Sequence, residues 1–273
     1  IILKMFLILF KIFSLMPHWI LQKIARVISF IVKIFSLRVF QTSKANLIHC
    51  FNSSKLLNKS LYQTALTSLE YPYIWGNPKN VNKLVSGNQE AFINANEKPL
   101  LIFTLHMGCV DAMLIYLASN LKGLSILYTP AKNITLDRSI KSARESGGAK
   151  MFNISPIEFK KMYKCFKNRQ HIAVASDLVP HERGKYSTFF NNECFCLDLI
   201  ENLSKRSTHQ IMFVYFTLGR TKRYKFNYKM LDTSITVDEM NYHFENAIKE
   251  CPELYGWEYK KFRKLSGDIK NIY

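Results

Sequence analysis

The run Leu100-Leu101-Ile102-Phe103-Thr104-Leu105 is apolar throughout and short, the pattern of a strand buried on both faces inside a sheet covered by helices. The residues after it keep to that plan. Gly108 to Asn120 reads as a helix stopped near Gly123, and Leu124 to Tyr128 as a second strand ended by Pro130. Thr135 to Ser146 reads as a helix closed by Gly147-Gly148, with a short strand near Met151. Pro156 to Asn168 is a further helix, opened by Ser155 as cap and Pro156 in the first turn. His171 to Ser176 is strand-like, Gln210 to Leu218 and Tyr224 to Leu231 flank Gly219 as a hairpin, and Val237 to Glu250 is helical. Strands alternating with helices in this way predict an α/β chain, a mixed β-sheet with helices on both faces.

Two polar groups end apolar strands of this plan: His106 after the first run and Asp177 after His171 to Ser176. Open α/β sheets present ligand-binding groups outside the carboxyl ends of their strands, so both belong to one candidate site. Asp111 follows His106 by five residues. A neutral imidazole takes a proton from a hydroxyl, and a neighbouring carboxylate fixes its tautomer and stabilises the imidazolium, so His106 with Asp111 is a candidate base pair for activating an alcohol. The competing reading is a structural histidine before a capped helix. Cys109, set among Val110, Met113 and Leu114, reads as a small core residue rather than a nucleophile.

The amino terminus is the second strong signal. Residues 1–16 are almost wholly apolar, interrupted by Lys4, Lys11 and Ser14, yet such a helix falls short of a hydrocarbon core of about 30 Å. After Pro17, Gln22, Arg26, Ser29, Lys33 and Ser36 recur at alternating spacings of four and three. They leave a broad apolar face of Trp19, Ile20, Ile24, Val27, Ile28, Ile31, Phe35 and Leu37, the pattern of a helix lying in a membrane interface. A helix buried against the domain with one wet stripe shows the same periodicity. No small-residue cleavage site follows the apolar region, which argues against a secretory signal. The organisation expected is a membrane-associating leader over 1–40 and one catalytic domain over 41–273, with no internal repeat or Pro/Gly/Ser-rich linker between them.

Of the 273 residues 38 are Lys or Arg and 20 Asp or Glu, a net charge of +18 that asks for an acidic partner. No zinc-finger spacing, RNP-like strand or Walker loop accompanies it, so nucleic acid is not expected. The clusters Lys160-Lys161, Lys164, Lys167, Arg169 and Arg220, Lys222, Arg223, Lys225 read as solvated faces. The six cysteines show no C-x-x-C spacing and read as reduced thiols. Cys194 and Cys196 lack a matching Cys/His pair and read as helix residues rather than metal ligands.

Six segments in order resemble the lipid A biosynthesis acyltransferase family, over nearly the whole chain. They are Asn46-Leu47 to Cys50-Phe51, His106 to Asp111, Arg144 to Lys150, Ala175-Ser176-Asp177 to Pro180, Gly184 to Phe189-Phe190, and Pro252 to Arg263 with Tyr255 and Trp257. Departures stand at Cys109-Val110, where the family carries a polar-aromatic pair, at Leu178 for glutamine, at Asn191 for the glycine after the double phenylalanine, and at Cys196 for threonine. They mark a divergent member and bear on acceptor specificity.

The resemblance implies a glycerolipid-acyltransferase-like fold. It also implies direct acyl transfer from an acyl carrier protein thioester to a hydroxyl of a Kdo-bearing lipid A precursor, at the cytoplasmic face of a bacterial inner membrane. In that scheme His106 is the base, Asp111 orients it, and backbone amides around Gly108 stabilise the oxyanion. Arg144 binds phosphate or assists the oxyanion, Asp177 holds Arg144 or the loop after it, and Phe189 and Phe190 line the acyl groove or pack in the core. No metal or organic cofactor is required, since the thioester carries the activation. Two alternatives stay open: transfer from acyl-CoA to another glycolipid or a lysophospholipid, and a non-catalytic membrane-surface protein of the same fold.

Overall fold

The computed structural model describes residues 2–87, 89–92, 98–206, 208–232, 234–266 and 272–273, with residues 2–4 and 89 as backbone alone. Ile1 and the Lys4 side chain, both within the expected leader, lie outside the described residues. Helices α1 (Ile2–Leu15), α2 (His18–Ile34), α3 (Arg38–Phe51) and α4 (Leu57–Gly76) come first, followed by the short α5 (Val81–Leu84) and β1 (Val85–Ser86). Alternation then sets in with β2 (Leu100–Thr104), α6 (Val110–Asn120), β3 (Ser125–Tyr128), α7 (Ile134–Glu145), β4 (Lys150–Asn153), α8 (Pro156–Lys167) and β5 (Ile172–Ala175). A separate hairpin, β6 (Lys185–Phe189) and β7 (Asn192–Cys196), leads through α9 (Leu199–Ser204) to β8 (Gln210–Leu218), β9 (Tyr224–Leu231) and α10 (Val237–Glu250).

The main sheet runs β1-β9-β8-β2-β5-β3-β4. Strands β4, β3, β5, β2 and β8 are parallel, and β9 turns back antiparallel to β8. The sheet is therefore mixed, as the alternation of elements implies. Phe103 and Phe213 meet Phe244 of α10, while Phe216 and its cross-strand partner Phe226 lie on the opposite face, where Phe226 packs on Tyr116 of α6. Helices thus cover both faces. Local chemistry sets the helix starts: Ser155 Oγ accepts from the Glu158 amide ahead of Pro156, and Thr236 with Glu239 forms a capping box.

Strand β5 is inserted between β2 and β3, and this insertion positions the site. Thr104 lies opposite Ala175 in the parallel register, so the residues two beyond each strand end, His106 and Asp177, emerge side by side.

One expectation is corrected here. Cys194 and Cys196 lie on strand β7, not on a helix, and their Sγ atoms sit 3.2 Å apart because alternate strand residues share a face. The β6–β7 turn also explains Asn191. Phe190 and Asn191 have φ of 49° and 58°, the two left-handed positions of a two-residue hairpin, and Asn tolerates that region better than most residues other than glycine.

The leader helices pack on α4. Leu21 and Ala25 are fully buried, the Phe10 ring lies 5.2 Å from that of Trp75, Asn80 Nδ2 donates to Ser14 O at 2.9 Å, and His18 Nε2 lies 2.8 Å from Glu70 Oε1. The two helices meet at a bend of 109°, and among the described residues no single helix is long and apolar enough to cross a membrane. Trp19, Val27, Ile31, Phe35 and Leu37 of the expected apolar face are exposed, whereas Ile20, Ile24 and Ile28 are half-buried. Most of the exposed large apolar side chains among the described residues fall between Met5 and Leu37. Such a concentration of exposed apolar side chains marks a candidate interaction surface.

Candidate active site

His106 sits in the loop from β2 to α6. Its backbone N–H donates to Asp177 Oδ2 at 3.0 Å, and its ring Nδ1 lies 2.7 Å from Asp177 Oδ1. One carboxylate thus holds both the main chain and the ring. Asp177 is buried, while the imidazole keeps about a third of its side-chain surface open (33%). With Nδ1 engaged, Nε2 is the nitrogen left for a ligand. Burial works to lower the His106 pKa, but the charge and hydrogen bond of Asp177, helped by Glu258 and Asp111, outweigh it and raise the pKa above the ordinary imidazole value. Burial likewise disfavours the Asp177 charge, yet His106 and the Lys261 ammonium hold its carboxyl below the ordinary range.

The carboxylate expected to orient His106 is Asp111, and the structure uses that residue otherwise. Asp111 stands in the first turn of α6 and is buried under three donors. Arg144 Nη2 lies 2.8 Å from Oδ1, Arg144 Nε donates to Oδ2 at 2.9 Å, and Trp75 Nε1 donates to Oδ2 at 2.6 Å. This two-pronged pairing joins α6, α7 and α4. Its reach to His106 is through charge alone. Asp177, expected to hold Arg144 or the loop after it, holds His106 instead. Arg144 is spent on Asp111, and its guanidinium stacks 5.6 Å from the Tyr128 ring.

The loop amides offered as an oxyanion site are also engaged. Gly108 N–H donates to Leu254 O at 2.9 Å and Cys109 N–H to the Tyr224 hydroxyl at 3.1 Å. Gly108 itself is required by geometry: its φ is +72°, and a Cβ there would meet the Tyr224 ring at 2.5 Å. Cys109 is fully buried and burial raises its thiol pKa well above normal, so it stays a protonated core residue. Phe189 and Phe190 are likewise buried, in an aromatic cluster with Phe51, Tyr255, Trp257 and Phe262, which is core packing rather than an open groove.

Sequence reasoning overlooked the supports of the loop. Tyr224 donates its hydroxyl to Glu70 Oε2, and Glu70, fully buried on α4, also takes His18 and Arg223. A signal existed: Glu70 is the one charged residue between Leu61 and Gly76, an isolated carboxylate in an apolar helix. From the other side, Gly256 N–H donates to His106 O at 2.9 Å and Met107 bridges Tyr255. Glu258 belongs to the same segment, its Oε2 accepting from Thr64 Oγ1 at 3.0 Å. It keeps an exposed edge, yet the surrounding protein raises its pKa by desolvation.

Segments far apart in sequence converge on this loop. Asn46 Nδ2 donates to Trp257 O and Tyr259 O at 2.7 and 2.8 Å, Lys261 Nζ to Asp177 O at 2.7 Å, and Arg263 Nη2 to Val179 O at 2.8 Å. The amino-terminal Asn46-Leu47 segment, the His106 loop, the Asp177 segment and the carboxyl-terminal Trp257 to Arg263 segment form one connected support.

A half-open imidazole backed by a buried carboxylate lies at the carboxyl edge of the mixed sheet, an arrangement able to accept a proton. The family model for bacterial lipid A biosynthesis acyltransferases matches residues 2–264, and the chain belongs to that family. It is accordingly an acyltransferase. No individually curated protein matches it.

Proposed function

We propose that this chain moves a fatty acyl group from an acyl carrier protein thioester to a hydroxyl of a lipid A precursor, with His106 as general base and Asp177 as the residue that orients it. The observation that carries the reading is the His106–Asp177 contact of 2.7 Å through Nδ1, on an imidazole that keeps about a third of its side-chain surface exposed, in a chain of the lipid A acyltransferase family. His106 Nε2 accepts the acceptor's hydroxyl proton as the oxygen attacks the thioester carbonyl. Asp177 stabilises the imidazolium, and on collapse of the tetrahedral species the same proton passes to the departing thiolate sulfur. Asp111, Arg144 and Trp75 clamp the helix next to the base.

The outward apolar faces of α1 and α2 fit a leader lying in the membrane interface, with the remainder of the chain as the catalytic part. The high positive charge suits both an anionic membrane surface and an acidic carrier protein at the cytoplasmic face of the inner membrane.

Donor choice tests the reading. Long-range attraction speeds encounter between a basic enzyme and an acidic carrier, so turnover with acyl carrier protein should fall steeply as salt rises through about 0.15 M, where the Debye length is about 8 Å. Acyl-CoA should be the poorer donor. Equal or better turnover with acyl-CoA, insensitive to salt, contradicts the carrier-protein assignment and favours a lysophospholipid type of enzyme.

A further inference from the structure

A cavity of about 810 Å³ opens at the elbow between α1 and α2, apart from the His106 loop. One wall is the elbow itself, Ser14 to His18; the other is the β8–β9 turn, Gly219 to Arg223, with Lys83 beside it. Among the described residues that line it there is no carboxylate. Two of its cations are committed in different ways. Arg223 spends its charge on buried Glu70, whereas Lys222 Nζ is fixed by carbonyls, Asn82 O at 2.7 Å and Val85 O at 3.2 Å, which hold the ammonium in place without neutralising it. Lys83 and Arg220 are exposed and form no ion pair among the described residues. Three uncompensated cations around one concavity repel each other unless an anion lies between them.

The rim identifies the kind of anion. Leu15, at the edge of the cavity, is 70% exposed, and it continues into the outward apolar faces of α1 and α2. A ligand seated here meets positive charge inside the elbow and apolar surface outside it. That pairing fits an amphiphile with a phosphate headgroup, and the volume lies in the range of about 300–1,000 Å³ typical of ligand sites. Strand β8 runs parallel to β2, so its carboxyl end at Leu218 brings the cavity to the same edge of the sheet as His106.

We infer that this elbow cavity binds the phosphate group of an anionic lipid, with Lys83, Arg220 and Lys222 as its ligands. The inference rests on the proposed interfacial placement of the leader but not on the acyl-transfer chemistry, and it is read by binding alone.

The test uses the full chain and phosphatidylcholine vesicles, either plain or containing phosphatidic acid or the phosphorylated lipid A precursor. A Lys83→Gln, Arg220→Gln double variant should lose about thirtyfold in affinity for both anionic vesicles, some fivefold per charge. A Lys160→Gln, Lys164→Gln variant, removing equal charge from exposed positions on α8, should lose less than threefold. His106→Ala should bind as the parent does, so failure of the catalytic reading leaves this result unaffected. Equal binding of the two anionic vesicles assigns a general phosphate headgroup, and a tenfold preference for the glycolipid assigns the acceptor's own phosphate; either supports the inference. Equal losses in the two double variants, or parent-like binding by the cavity variant, would overturn it. So would intact vesicle binding with a defect confined to the carrier-protein donor, which would make the elbow a carrier dock.

Discussion

Asp177→Asn is expected to lower acyl transfer by about 10²- to 10⁴-fold, the range that general-base assistance supplies. In the parent, both carboxylate oxygens accept from His106, one from the ring and one from the main chain. A carboxamide has one acceptor oxygen and one NH₂, so it faces one of those donors with another donor and loses either the ring tautomer or the backbone bond. The charge that stabilises the imidazolium is lost as well. The pH profile separates this from simple disruption. A base whose pKa is raised becomes neutral only at higher pH, so the parent rate should climb with a midpoint above about 6.5. Without the Asp177 charge, burial dominates and the midpoint should move down while the plateau falls. Near-parent activity with an unmoved midpoint would remove Asp177 from the mechanism.

Asp111→Asn should act mainly on stability. Asp111 is buried and accepts from Arg144 twice and from Trp75 once, so removing its charge strands a guanidinium that is itself largely enclosed. Breaking a buried pair from one side costs about 3–5 kcal/mol. For a chain of this size that corresponds to a drop in Tm of roughly 10 °C. Replacing both partners, as in Asp111→Leu with Arg144→Met, should recover most of the loss, because no unpaired charge remains. Calorimetry of the single and double variants reads this directly. A parent-like Tm in Asp111→Asn together with abolished transfer would give Asp111 a chemical role instead.

The contrast between these two carboxylates shows where the sequence stops being sufficient. That His106 and Asp177 share a sheet edge is legible, because each ends an apolar strand-like run. Which acid touches the histidine depends on β5 being inserted beside β2, a matter of strand order that spacing along the chain does not encode. Nearness in sequence favours Asp111, but its place in the first turn of α6 turns it toward Arg144 and Trp75. Most helices and strands from Leu100 onward are written in periodicity and caps, as at Ser155-Pro156 and Thr236. The β6–β7 hairpin is not: Asn192 to Cys196 is short and lacks clean alternation, and its turn uses Phe190 and Asn191 where a glycine signal would be sought. The supports of the loop, Glu70 with Tyr224 and Gly256 with His106, join residues far apart in the chain and become visible only after folding.

Acyl transfer itself is read by mass spectrometry of the lipid product when the purified full chain is given acyl carrier protein thioester and a lipid A precursor. The precursor is expected to gain the mass of one acyl chain in ester linkage, and His106→Ala, folded as the parent is, to give no product above background. Product formed at the parent rate by His106→Ala, or none formed by the parent from any acyl thioester, would contradict the assigned chemistry.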